Sequence, residues 1–138
     1  MKFSKKSRYG VAALIDLAVN SKNGHVALGS IAERNEISPQ YLEQVFASLR
    51  RAGIVKSVKG SQGGYLLKYP SSSITVASII QALEGTYYLD DEETKTEESA
   101  AGIAETIQED IVDRVNHGLD QILQNLTLAD LEESFQER

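Results

Sequence analysis

Ile103, Ile107, Ile111, Val115, Leu119, Ile122 and Leu126 follow one another at steps of four and three, and this spacing constrains the fold more than any other feature of the chain. It is the period of an α-helix and predicts one helix of about 28 residues, roughly 40 Å long at 1.5 Å per residue. A compact unit of about 85 residues, built from the part of the chain before it, is too small to cover a stripe of that length, and the remainder would be a large exposed apolar patch. Two arrangements resolve this. The helix packs back on its own domain, or a second copy lies against it, for which two-fold pairing is the common solution. Ile103, Ile107, Ile111, Val115, Leu119 and Ile122 are therefore the candidate dimerisation residues, and Gly118 is a candidate crossing point or kink.

Charge divides the chain in two. Residues 1–70 hold 11 Lys and Arg against 4 Asp and Glu, a surplus of 7, while residues 71–138 hold 3 against 16, a deficit of 13. The net charge of −6 hides a basic front half. A phosphate backbone responds to the local field and not to the average, so the acidic total does not argue against nucleic acid. Cysteine is absent, which removes disulfides, thiolate metal sites and thiol redox chemistry together and suits a reducing compartment. The basic start followed by VAALIDLAV mimics a signal peptide, but Asp16 interrupts the apolar run. A cytoplasmic helix is the expectation there. No stretch approaches the ~18 apolar residues of a spanning helix.

Before the long stripe the pattern changes several times. Val11, Leu14, Ile15 and Ala18 predict a helix over about 7–19, and Ile31 and Ala32 sit in a shorter one over about 29–35. His25-Val26-Ala27 reads as a short strand between them. Ser38 as N-cap and Pro39 at the first position open a third helix, with Leu42, Val45, Phe46 and Leu49 as its buried stripe and Gly53 as its stop. Residues 54–69 read as a β-hairpin with SQGG at its tip. Thr75 caps a fourth helix that Gly85 closes, residues 86–99 form an acidic loop, and Thr127 to Asp130 resembles a capping box that starts a short last helix. The predicted division is a head over 1–85, the loop over 86–99, and the long and final helices over 100–138.

Two short helices joined by a tight turn and followed by a hairpin make a winged helix-turn-helix. With the apolar stripe of the third helix turned inward, Gln40, Gln44, Ala47 and Arg51 occupy the opposite face, flanked by Tyr41 and Glu43. Amide side chains donate and accept together, which suits base edges in a major groove. Lys56, Lys59 and Lys68 charge the hairpin, and Lys59 beside Gly60 is the natural minor-groove probe. Lys2, Lys5, Lys6 and Arg8 add a basic arm for phosphates. Any one lysine is read as merely solvated. The set is not, because six of the eight lysines of the chain lie here.

The segments KSRYGVAALIDLA, SIAERNEIS, SPQYLEQVFASLRRAGIVKSVKGSQGGYLL, ITVASIIQALEG and NLTLADL resemble the Rrf2 family of bacterial winged helix-turn-helix regulators. The resemblance implies a mainly α fold with a small β-hairpin wing and a long dimerisation helix. It also implies a homodimer that binds a palindromic operator in double-stranded DNA, usually to repress. By position, its DNA contacts fall on Lys5, Arg8 and Tyr9, on Ser38, Gln40, Tyr41, Glu43 and Gln44, and on Lys59 and Gly60, to which the face and hairpin readings add Arg51 and Lys56. Cluster-binding members carry three cysteines between the fourth and the long helix. Here that stretch has none, so no iron–sulfur cluster is expected through those ligands. The chain is similar to the cluster-free branch, to which a repressor of cysteine metabolism belongs, and this points to cysteine or sulfur genes as targets. A regulatory protein partner or a small-molecule effector stays open as the input.

Neither a cysteine nor a histidine-centred cluster offers catalysis, and His25 and His117 read as surface or packing residues. The expectation is no enzyme, no metal and no membrane. A dimeric adaptor whose acidic half recruits a protein is the competing reading. Sequence preference and steep salt dependence separate a DNA binder from it.

Overall fold

The computed structural model describes residues 2–92 and 101–138. Helix α1 (Lys5–Asn20) starts at Ser4, whose side chain accepts the Ser7 N–H. Helix α2 (Leu28–Asn35) ends at Glu36, which turns the chain through a left-handed conformation at φ 53°. Ile37, 6 % exposed, plugs that turn, and α3 (Pro39–Arg51) leaves it under the cap of Ser38. Ala13, Leu14, Leu17, Ile31, Leu42, Val45, Phe46 and Leu49 meet in one core.

The hairpin pairs β1 (Val55–Val58) with β2 (Gly64–Leu67), Val55 opposite Leu67. The expected strand at residues 25–27 shrinks to a bridge. Val26 exchanges both backbone hydrogen bonds with Tyr65, at 3.0 and 2.9 Å, and so ties the wing to the head. Gly64 permits this. A Cβ there would lie 2.3 Å from the Val26 carbonyl oxygen, which cannot move without breaking the bridge. Gly64→Ala should cost about 2 kcal/mol and speed amide exchange in the wing. Unchanged unfolding in denaturant would refute that close approach.

Helix α4 (Val76–Glu84) is capped by Thr75, whose hydroxyl accepts the Ser78 N–H at 3.1 Å. At the other end of the chain, α7 (Leu128–Gln136) starts with the reciprocal box read from the sequence, Thr127 and Asp130 each accepting the other's backbone N–H. Its destination differs from the predicted division. The backbone bonds Val76 N–H to Leu126 O, 2.7 Å, and Leu128 N–H to Ile74 O, 2.8 Å, return the chain to the head. Leu128 is fully buried in the head core, and Glu132 pairs with Lys22 at 2.8 Å. The final helix is thus part of the head, because its apolar side completes a core the front half leaves open.

Among the described residues the long stripe is helical over residues 101–123, as α5 (Ala101–Ile107), a π-helical segment (Gln108–Asp113) and α6 (Arg114–Leu123). The first predicted arrangement, packing back on its own domain, is realised in part. Leu123, with Leu119 and Leu126 beside it, packs on Val76, Ala77, Ile80 and Tyr87, so Leu119 is used within its own chain. Ile103, Ile107, Ile111, Val115 and Ile122 remain 67, 51, 52, 42 and 63 % exposed. Gly118 marks no crossing within the described chain, since a Cβ there meets nothing within 4 Å. The irregularity lies at 108–113 instead.

Of the predicted acidic loop, the first residues are anchored. The Tyr87 hydroxyl donates to Asp120 at 2.5 Å and that of Tyr88 to the same carboxylate at 2.9 Å, while Asn116 accepts the Leu89 N–H at 2.7 Å. Burial, and then the Asp120 carboxylate, push the Tyr87 phenol above its ordinary pKa. Residues 93–99 of that loop lie outside the described residues.

Candidate nucleic-acid interface

Helix α3 presents the face expected of it. Leu42, Val45, Phe46 and Leu49 are fully buried, and Gln40, Glu43, Gln44, Arg50 and Arg51 are exposed, with Ala47 half-buried between them. The cause is local, since apolar residues at i, i+3, i+4 and i+7 leave one polar side free. The Ser38 hydroxyl accepts the Tyr41 N–H and the Ser38 carbonyl accepts the Leu42 N–H, and Pro39 has no N–H, so the first-turn N–H at the positive dipole end is that of Gln40.

Tyr41 is half-buried, not simply flanking. Its ring meets that of Tyr9 edge-on at 5.8 Å, and the Lys5 ammonium sits 5.5 Å from the Tyr9 ring centroid. Three predicted contact residues, from α1 and α3, therefore form one stack that fixes the recognition helix against the basic arm. Arg8 is exposed and lies over Phe3 at 5.7 Å. Arg51 turns to Ser48, whose hydroxyl accepts from Arg51 and from Lys6, each at 3.2 Å. Arg51 thus joins the α1 side of the face.

The wing stands beside α3. Phe46 stacks on Tyr65 of β2, with centroids 4.7 Å apart and planes 21° from parallel, so the helix and the wing share one packed joint. Between them runs an open groove of about 550 Å³ lined by Glu43, Ala47, Arg50, Ser57, Gly60 and Ser61, among others. Lys56 and Lys59 are exposed, and Gly60 takes φ 119° at the tip, a conformation open to glycine.

Two residues of this face were missed by the sequence reading. Arg50 lines the groove, and its place was legible on a helical wheel, one turn beyond Ala47 and two beyond Glu43. His25 is more than a surface histidine, because its Nε2 bonds the Gln62 carbonyl at 2.5 Å and braces the wing tip. Nothing local to His25 signals that contact. The ion pairs among the described residues are Lys22–Glu132 and Arg34–Asp16. Both stand apart from this face, so Lys5, Lys6, Arg8, Arg50, Arg51, Lys56 and Lys59 keep their charge available for phosphates.

A head of this design recurs in known proteins. The family model Rrf2, described as an iron-dependent transcriptional regulator, matches residues 3–134. The chain belongs to the Rrf2 family. An HTH-type transcriptional regulator of Haemophilus influenzae is 39 % identical over 133 residues, covering 95 % of this chain and 86 % of that relative. The HTH-type transcriptional regulator IscR of Yersinia enterocolitica is 38 % identical over 135 residues, 95 % of this chain and 79 % of the relative. Among solved structures, CymR (YrzC), the global cysteine regulator of B. subtilis, superposes with a TM-score of 0.81 at 36 % identity, covering 97 % of this chain and 98 % of that one. The fold is the winged helix of Rrf2 regulators, and the chain is a transcriptional regulator, not an enzyme.

The family description speaks of iron, and the donors of this Rrf2 chain do not fit a thiolate-held centre. It has no cysteine, and among the described residues no three His, Asp or Glu side chains gather as a metal site. No helix of the described residues is long and apolar enough to cross a membrane.

Proposed function

We propose that this protein is a homodimeric repressor that binds a palindromic operator in the cytoplasm and works without an iron–sulfur cluster. One observation carries the reading: seven cations that form no ion pair among the described residues lie around a helix whose amide side chains face outward beside a charged wing. Gln40 and Gln44 are the base readers, Arg50 and Glu43 line the groove that a sugar–phosphate strand would fill, and Lys59 enters the neighbouring minor groove. Pairing along the exposed residues of the long helix would set two heads on one duplex, about 34 Å apart for successive major grooves. Two copies bring about ten half-exposed aliphatic side chains, each worth about 1 kcal/mol when covered. That is on the order of 10 kcal/mol against the cost of association. The similarity to CymR supports genes of cysteine or sulfur metabolism as targets.

Selection of bound DNA from a random pool tests the reading. The expected product is one inverted repeat whose affinity falls about 10³-fold or more between 50 and 200 mM salt. Recovery of no motif, or salt-independent binding, would leave a protein-recruiting adaptor as the better account. Lys59→Ala should weaken operator binding by about tenfold and lower the salt slope by about one while the dimer persists. Unchanged affinity and slope would remove the wing from the contact surface.

A further inference from the structure

Lys6 and Arg51 converge on one neutral oxygen. The Ser48 hydroxyl accepts from the Lys6 ammonium and from the Arg51 guanidinium, each at 3.2 Å, so the two cationic nitrogens lie no more than twice that distance apart. The hydroxyl's own hydrogen points at the Gln44 carbonyl, 3.4 Å away, and its bonding capacity is then used up. Neither cation forms an ion pair among the described residues. Like charges held this close repel, and a shared serine oxygen is a weaker acceptor for them than an anion. Most of their N–H donors remain unspent. An anion that accepts from both would replace one repulsion by two attractions.

The surrounding packing holds the pair in place. Ser48 is buried and Lys6 half-buried. Gly10, one turn beyond Lys6, lets α1 approach α3 closely, since a Cβ there would lie 3.3 Å from Val45 Cγ1.

The place on the helix identifies the anion. At about 100° per residue, Ser48 and Tyr41 lie about 40° and 60° to one side of Gln44, and Glu43 and Arg50 about 100° and 120° to the other. The first side meets α1 through Lys6 and Tyr9. The second lines the groove of the wing. A helix seated in a major groove about 12 Å wide has a sugar–phosphate strand on each side of it. Each phosphate of such a strand carries two unesterified oxygens, one for each cation.

We propose that Lys6, Ser48 and Arg51 form a clamp for a single backbone phosphate of the operator, on the strand across the major groove from the one beside Arg50. The proposal rests on the DNA reading above. Lys6 and Arg51 touch the phosphate, and Ser48 is a positioning residue that keeps the two cations aimed at one point.

Methylphosphonates, which remove the charge of one phosphate at a time, test the clamp on the duplex recovered by selection. One position in each half-site should weaken the parent by about tenfold when neutralised. At that position the penalty should shrink to about threefold for Lys6→Ala, for Arg51→Ala and for Ser48→Ala, and should vanish for the Lys6→Ala, Arg51→Ala double variant. Arg50→Ala should keep the parent's penalty there and lose one on the other strand. Because both cations serve one phosphate, the double variant should lower the salt slope by about one and not by two. Lys6 and Arg51 mapping to different phosphates, a slope change of two, or undiminished affinity in both single variants overturns the clamp while the DNA reading stands. A parent that selects no motif overturns that reading and the clamp with it.

Discussion

Replacing Ile111 by aspartate should leave a folded protomer that no longer pairs. Ile111 is 52 % exposed and contributes little to its own head, so the isolated chain should melt close to the parent. In the proposed dimer its side chain would be covered by the partner copy, where a carboxylate loses water and gains no partner, at a cost of several kcal/mol on each copy. Operator affinity should fall with it by about 10²–10⁴-fold, because each head then binds without the effective concentration supplied by the other. Sedimentation and titration on a full and a half operator measure both effects. A variant that still sediments as a dimer would move the interface elsewhere, and a monomer with undiminished affinity would remove the need for two heads.

Phe46→Ala should produce the largest loss of stability, about 3–5 kcal/mol. The ring is fully buried in the middle of α3 and lies flat on Tyr65. Its removal opens a cavity where recognition helix, wing and head core meet, so the melting temperature should fall by about 10 °C or more and operator binding should weaken even well below that temperature. Gln44→Ala, two residues away on the opposite side of the helix and exposed, should leave the melting curve unchanged while relaxing base preference by about 1–3 kcal/mol. Equal effects of the two substitutions on melting would contradict the assignment of one face to packing and the other to reading.

The outward polar face of α3 was legible because it follows from the helical period: once Leu42, Val45, Phe46 and Leu49 are inside, the rest must point out. The caps at Ser38, Thr75 and Thr127 were legible for the same reason, each acting within three residues of itself. The brace from His25 to Gln62 spans 37 residues and has no local signature. The need for glycine at 64 was equally hidden, since it comes from the carbonyl of Val26 and not from the turn. Leu119 looked like one more member of the outward stripe, and only the position of α4 shows which side of it is covered.

Period, capping and charge are set by neighbours a few residues apart, so the amino-acid order alone determined the helices, the hairpin and the basic head. Which surfaces cover one another depends on groups that meet only when distant segments pack. Tertiary structure therefore decided that the last helix closes the head and that the long helix turns only part of its apolar stripe, at Leu119 and Leu123, onto that head.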